Sequence, residues 1–259
     1  MGAGGSGEEA TFPRLPRREP LRPLPYARLV HASEEVVLEN LAGIRGVIED
    51  AARRAGRDPA EVSLVAAAKT VPPQAVRWVA QAGVRAIGHN YVQELRDARA
   101  ALADLPLRWH YIGTLQSSTA HTVADLADVV ETVAGEHAAR RLAGRAERSG
   151  KVLDALIEVD LTEERSGVRP SGLAAFADLV AGLPGIRLRG LMTLPPIPER
   201  AEDARPWFAR LRELRDRLAV RHPQVLDLSM GMSLDYPVAV EEGATMVRIG
   251  TALFGPRTP

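Results

Sequence analysis

Cysteine is absent from this 259-residue chain. That excludes disulfides, thiolate metal sites and a cysteine nucleophile. Net charge is absent too: 33 Lys plus Arg balance 33 Asp plus Glu. Nothing global therefore draws the protein toward nucleic acid or an anionic membrane, and neither is expected as a partner. No apolar run approaches the roughly 20 residues that span a bilayer. With no signal peptide in view, a cytoplasmic protein is expected. The six histidines show no HExxH or similar spacing, so no metal site is expected. Lysine is the scarcest charge: of the 33 basic residues only Lys69 and Lys151 are lysines.

What is present is ordinary for a globular protein, 46% hydrophobic and 25% charged. The length allows one large α/β domain or two small ones. Residues 1–30 stand apart. "MGAGGSGEEA" is Gly-rich, and "TFPRLPRREPLRPLPYARLV" mixes prolines with arginines without helical or strand period. A disordered extension is expected there, leaving 31–259 as the folded domain. Gly2, Gly4 and Gly7 fit the dinucleotide fingerprint but lack the strand and helix that motif needs. The same start fits an N-myristoylation pattern. A flexible Gly/Ser beginning accounts for both.

From Ser33 the pattern becomes regular. Ser33 suits a helix cap, and Val37, Leu41, Ile44, Ile48 and Ala52 recur at helical spacing as far as Gly56. Strand-like runs follow at Val62–Ala68, Val84–Ile87, Arg108–Ile112, Asp128–Val133, Val152–Val159, Ile186–Met192, Val225–Met230 and Ala244–Ile249. Helical stretches lie between them, such as Tyr91, Leu95, Ala98 and Leu102, a segment opened by Pro170, and Leu211, Leu214 and Leu218. Eight strands alternating with helices predict a single-domain (β/α)8 TIM barrel, with an open doubly wound sheet as the alternative. The chain runs only ten residues past the eighth strand. The Ser33–Ala55 helix is therefore expected to cover the gap a last helix leaves.

Barrel chemistry sits at the C-terminal ends of the strands, and the unusual residues of this chain fall there. Strand one ends at Lys69-Thr70, strand two at "GHNY" (88–91), strand three at "HYIGTLQSS" (110–118). Strand five leads into "ERSG" (164–167), strand six ends at "MTLPP" (192–196), seven at "SMGMS" (229–233) and eight at "RIGT" (248–251). The loops after strands seven and eight often bind phosphate through backbone amides. Here they carry Ser233, Gly250 and Thr251 beside Arg248. A phosphate cradle facing a lysine fits a ligand with both a phosphate and a carbonyl, such as pyridoxal 5'-phosphate (PLP) or a sugar phosphate. Blander readings stand beside this one: Lys69 snorkelling from a strand end, Asn90 or Ser233 capping a helix, Arg248 pairing with a barrel carboxylate.

The ordered set "AAAKT", "GHNYVQEL", "WHYIGTLQS", "RSGV", "LRGLMTLPP", "LSMGMSLD" and "MVRIGTALFG" resembles the pyridoxal phosphate homeostasis family, also called YggS or PROSC. That family in turn resembles the N-terminal barrel of alanine racemase. The likeness covers about residues 33–257. It implies a barrel that holds PLP as a Schiff base on Lys69, with Asn90 beside the ring. Ser233, Gly250 and Thr251 would take the phosphate, and Arg248 would approach the ring nitrogen or the phosphate. It also implies a role in buffering or delivering the cofactor, without turnover. The chain departs from the family at His89 in place of a usual Glu, at Thr114 and Thr119 in place of His and Lys, and at Arg165. It reads "VETVAG" where the family has a VHSVD-like stretch.

The small, apolar run before Lys69 is expected to desolvate its amine, lowering a pKa of about 10.4 toward the nucleophilic form. An arginine facing the pyridine nitrogen disfavours the pyridinium and weakens the ring as an electron sink. A non-enzymatic PLP carrier is therefore the first reading, with apo-enzymes or free amino acids as acceptors and a monomer as the expected state. A PLP-dependent racemase is the alternative, with Tyr111 or Tyr236 as second base. A Schiff-base aldolase on a sugar phosphate is the third.

Overall fold

The structure is a computed structural model that describes residues 32–162 and 166–256. The expected tail 1–30 with its two motifs lies outside the described residues, as do Glu164 and Arg165. Helix α1 (Glu34–Arg54) leads into β1 (Ser63–Ala67). Then follow α2 (Pro73–Gln81), β2 (Ala86–His89), α3 (Val92–Ala101), β3 (Arg108–Tyr111), α4 (Ala120–Leu126) and β4 (Val129–Val133). Next come α5 (Glu136–Arg148), β5 (Leu153–Glu158), α6 (Leu173–Ala181) and β6 (Ile186–Met192). The chain continues through α7 (Arg205–Ala219), β7 (Asp227–Ser229), α8 (Tyr236–Glu241), β8 (Met246–Ile249) and α9 (Thr251–Phe254).

Every strand pairs in parallel with the next, and β8 closes on β1 through Ser63–Met246 and Val65–Arg248. That closure makes a (β/α)8 barrel and excludes the open sheet. Parallel strands covered by helices are buried on both faces, which is why β4 and β5 are buried at every position. Two apolar regions result. One lies between strands and helices, and the other fills the barrel with Val65, Ala86, Val129, Leu156, Met192 and Met246.

Helix α1 forms as its pattern predicts. Ser33 Oγ accepts from Val36 N–H at 3.4 Å, and Val37, Leu41, Ile44 and Ile48 are buried. It seals the β8–β1 side of the barrel: Asn40 Nδ2 donates to Leu253 O at 3.1 Å. Just beyond it, Arg57 Nη1 donates to Val240 O and Ala244 O at 2.7 and 3.0 Å.

Strand boundaries differ from the sequence reading by up to two residues, as in β7 and β8, and two differences show their cause. Val84 lies in the connection after α2, where its N–H bonds back to Val79 O at 2.9 Å past a turn at Gly83, and β2 runs from Ala86 on to His89. Pro170 opens a short 3-10 turn, Pro170–Gly172, with α6 starting only at Leu173.

Candidate ligand site at the barrel mouth

Side chains alternate along a strand. Val65 belongs to the barrel interior, so Ala67, two residues further on, shares its side, and Lys69 lies in the turn that follows the strand. Lys69 is half-buried. Its Nζ lies 5.2 Å from the centre of the Tyr91 ring, within cation–π reach. No described carboxylate lies within 4.0 Å of that nitrogen. The next residue, Thr70, is the only described non-glycine residue at positive φ, 60°. A β-branched residue is strained there. Its N–H faces Glu94 Oε2 at 3.4 Å, and its hydroxyl donates to Lys69 O at 2.6 Å.

Asn90 is half-buried at the end of β2. It caps no helix, since Tyr91 occupies the N-cap of α3 without a side-chain bond. Its main chain is fixed by close approach to Gly113, where an added Cβ would lie 1.9 Å from Asn90 O. Only glycine fits there.

Two residues beyond the apolar filling on β8 and β4, the interior turns polar. Arg248, 4% exposed, donates to Ser229 Oγ and, at 2.9 Å, to Thr193 O. Ser229 Oγ donates to Glu131 Oε2 at 2.6 Å, and Glu131 Oε1 lies 2.6 Å from His110 Nδ1. Burial pushes the Glu131 carboxyl up, but the His110 bond and the Arg248 charge outweigh it and hold the group below the usual range. With Glu131 ionised, His110 Nδ1 is the donor of that bond, and Nε2 is buried without a hydrogen-bond partner. Burial lowers Arg248, opposed by Glu131, Glu158 and Asp235.

Across the mouth, the loops after β7 and β8 are tied together. Ser233 Oγ accepts from Ala252 N–H at 3.0 Å, so it braces α9 rather than capping α8. Gly231 has φ +91°, and a Cβ there would meet Ala239 Cβ at 2.5 Å. Asp235 folds this loop by accepting from Met232 N–H at 2.6 Å. The main-chain N–H groups of Ser233, Gly250 and Thr251 donate to no described main-chain acceptor. Gly250 is the N-cap of α9, and Thr251 is exposed. Uncommitted amides, a hydroxyl and a glycine are the donor set an anion takes at such a loop.

The residues singled out from sequence thus fall into two groups. Lys69 and Asn90 stand just past β1 and β2, and Ser233, Gly250 and Thr251 on the last two loops, with Arg248 deeper on β8. Sequence reasoning missed the His110–Glu131–Ser229 chain that holds Arg248. Glu131 lies in "VETVAG", and its signal was a carboxylate inside an otherwise apolar strand.

The family described as "Alanine racemase, N-terminal domain" matches residues 40–258. A pyridoxal phosphate homeostasis protein of Pseudomonas aeruginosa is 46% identical over 225 residues, 85% of this chain and 96% of that one. One from Aquifex aeolicus is 41% identical over 222 residues, 85% of this chain and 97% of that one. The structure of PipY from Synechococcus elongatus, solved with PLP bound, superposes with a TM-score of 0.76 at 35% identity. That match covers 85% of this chain and all of PipY. The barrel, its rim residues and this identity along nearly whole relatives agree, and the chain belongs to the pyridoxal phosphate homeostasis protein family.

Proposed function

We propose that this protein binds PLP at the barrel mouth and serves the homeostasis of that cofactor inside the cell. The carrying observation is Lys69: one of two lysines, half-buried in the turn after β1, with its nitrogen over the Tyr91 ring and no described carboxylate to neutralise it. The naming of the relatives and the PLP-bound PipY structure support the reading. PLP, when bound, supplies an aldehyde that condenses with a primary amine and a phosphate that needs hydrogen-bond donors.

The residues present fit both ends. Lys69 is the amine, and Lys151 is spent elsewhere, its Nζ donating to Asp125 O at 2.7 Å at the far end of α4. Ser233, Gly250 and Thr251 supply free amides and hydroxyls for the phosphate, held in register by the Ser233–Ala252 bond. Asn90 stands beside Lys69, just past the next strand, and Arg248 presents a fixed cation below them.

A role without turnover is the finer part of the proposal. Burial raises both Tyr111 and Tyr236, which makes them poor second bases. Tyr111 is only 4% exposed and its hydroxyl donates to Thr114 O at 3.3 Å. Free amino acids and apo-enzymes are the proposed acceptors, and the protein acts as a cytoplasmic monomer. No helix among the described residues is long and apolar enough to cross a membrane.

Titrating the purified protein with PLP should give a visible absorption band that is absent in Lys69→Ala. Incubating the loaded protein with L-alanine and other amino acids should yield no D-isomer. Sustained D-isomer formation that vanishes in Lys69→Ala would establish the racemase alternative instead.

A further inference from the structure

On the outside of the barrel, α4 and α5 flank a groove of about 400 Å³. It is lined by His121 from α4 and by His137, Arg140, Arg141, Gly144 and Arg148 from α5. No carboxylate is among these lining residues. His137, Arg141, Gly144 and Arg148 follow one another at helical spacing, which places them on one face. Arg140 is matched by Glu136 at 2.8 Å, and neighbouring Arg145 forks onto Asp125 at 2.7 and 3.0 Å. Arg141 and Arg148, by contrast, form no ion pair with any described residue. In a chain of zero net charge this is a local excess.

Gly144 adds an independent observation. It sits inside α5, where glycine is unfavourable. A Cβ built on it would meet Arg148 Nη1 at 3.3 Å. The missing side chain gives the guanidinium room to fold back across the helix along the groove.

We propose that this groove binds a small polyanion bearing at least two phosphate groups, at a site separate from the barrel mouth. Its volume falls in the range of small-molecule sites, roughly 300–1,000 Å³. The cationic stripe from residue 137 to 148 extends about 16 Å along the helix, which suits linked phosphates better than a single one. Planar arginine forks supply the matching hydrogen bonds.

The test uses the full chain preloaded with PLP, so that the barrel mouth is taken, with tripolyphosphate as the probe. Calorimetry should show saturable binding, and the ring-proton NMR signals of His121 and His137 should move with it. The double variant Arg141→Gln/Arg148→Gln should bind about tenfold more weakly while still taking up PLP. Gly144→Ala, with a better helix former, should also weaken binding while raising the melting temperature. Absence of saturable binding, or equal affinity in the double variant, overturns the proposal. Binding seen only before PLP is loaded also overturns it, because the probe then occupies the barrel.

Discussion

Lys69 and Thr70 form one unit at the end of β1. The φ of 60° at Thr70 is maintained against its β-branched side chain by the turn and the Glu94 carboxylate. Thr70→Gly relieves that strain, and chemical unfolding should show a gain of about 1 kcal/mol, net of the glycine's entropy. Looser placement of Lys69 should accompany it, read as faster loss of PLP. His89 makes a second residue-level prediction. It is 2% exposed, stacked 6.1 Å from Trp109, and both ring nitrogens lack hydrogen-bond partners, with Nδ1 standing 3.8 Å from Glu94 Oε2. Burial lowers its pKa from 6.5 to about 4. Between those values the unfolded chain takes up a proton that the folded chain refuses, so stability falls as pH drops through that window. The loss from this group alone reaches about 2 kcal/mol by pH 5. Urea unfolding at pH 7 and pH 5 should show His89→Leu losing that much less than the parent.

At the scale of elements, legibility followed locality. Helix α1 was readable because its cap Ser33, its acidic first turn and its apolar stripe are all written in one contiguous stretch ending at Arg54. The start of β2 was not, because Val84 looks like a strand residue and only its bond to Val79 O ties it to the turn that closes α2. Ser233 was read as a phosphate ligand or a helix cap. Its bond to Ala252 N–H, 19 residues away, has no local signature. Ser233→Ala should cost about 1 kcal/mol in unfolding free energy and weaken PLP binding as the two loops separate. Gly113 carries a sharper prediction. A methyl group there overlaps Asn90 O at 1.9 Å, so Gly113→Ala should destabilise the fold by about 3 kcal/mol or more in thermal unfolding.

Across the whole molecule, closure of the barrel brings together residues that no sequence window contains. His110, Glu131, Ser229 and Arg248 come from β3, β4, β7 and β8, and 98 residues separate Glu131 from the Ser229 that bonds it. The sequence announced the rim motifs one by one, and the family resemblance joined them. The charge balance beneath them emerges only on closure. Arg248 needs that balance: Glu131 is the largest of the three carboxylates that oppose its burial, ahead of Glu158 and Asp235, and Glu131→Leu should cost about 3 kcal/mol. Because the folded pKa of Glu131 is depressed, its contribution is present above the ordinary carboxylate pKa and fades only as pH falls through the lower folded value.

The central claim is that one amine at this mouth takes the cofactor's aldehyde. Borohydride reduction of the PLP-loaded protein, followed by peptide mapping, tests it most directly. The account predicts a pyridoxyl group on Lys69 and none on Lys151, whose nitrogen is bonded at the far end of α4. Label on Lys151, or a protein that retains PLP with Lys69 unmodified, would contradict it.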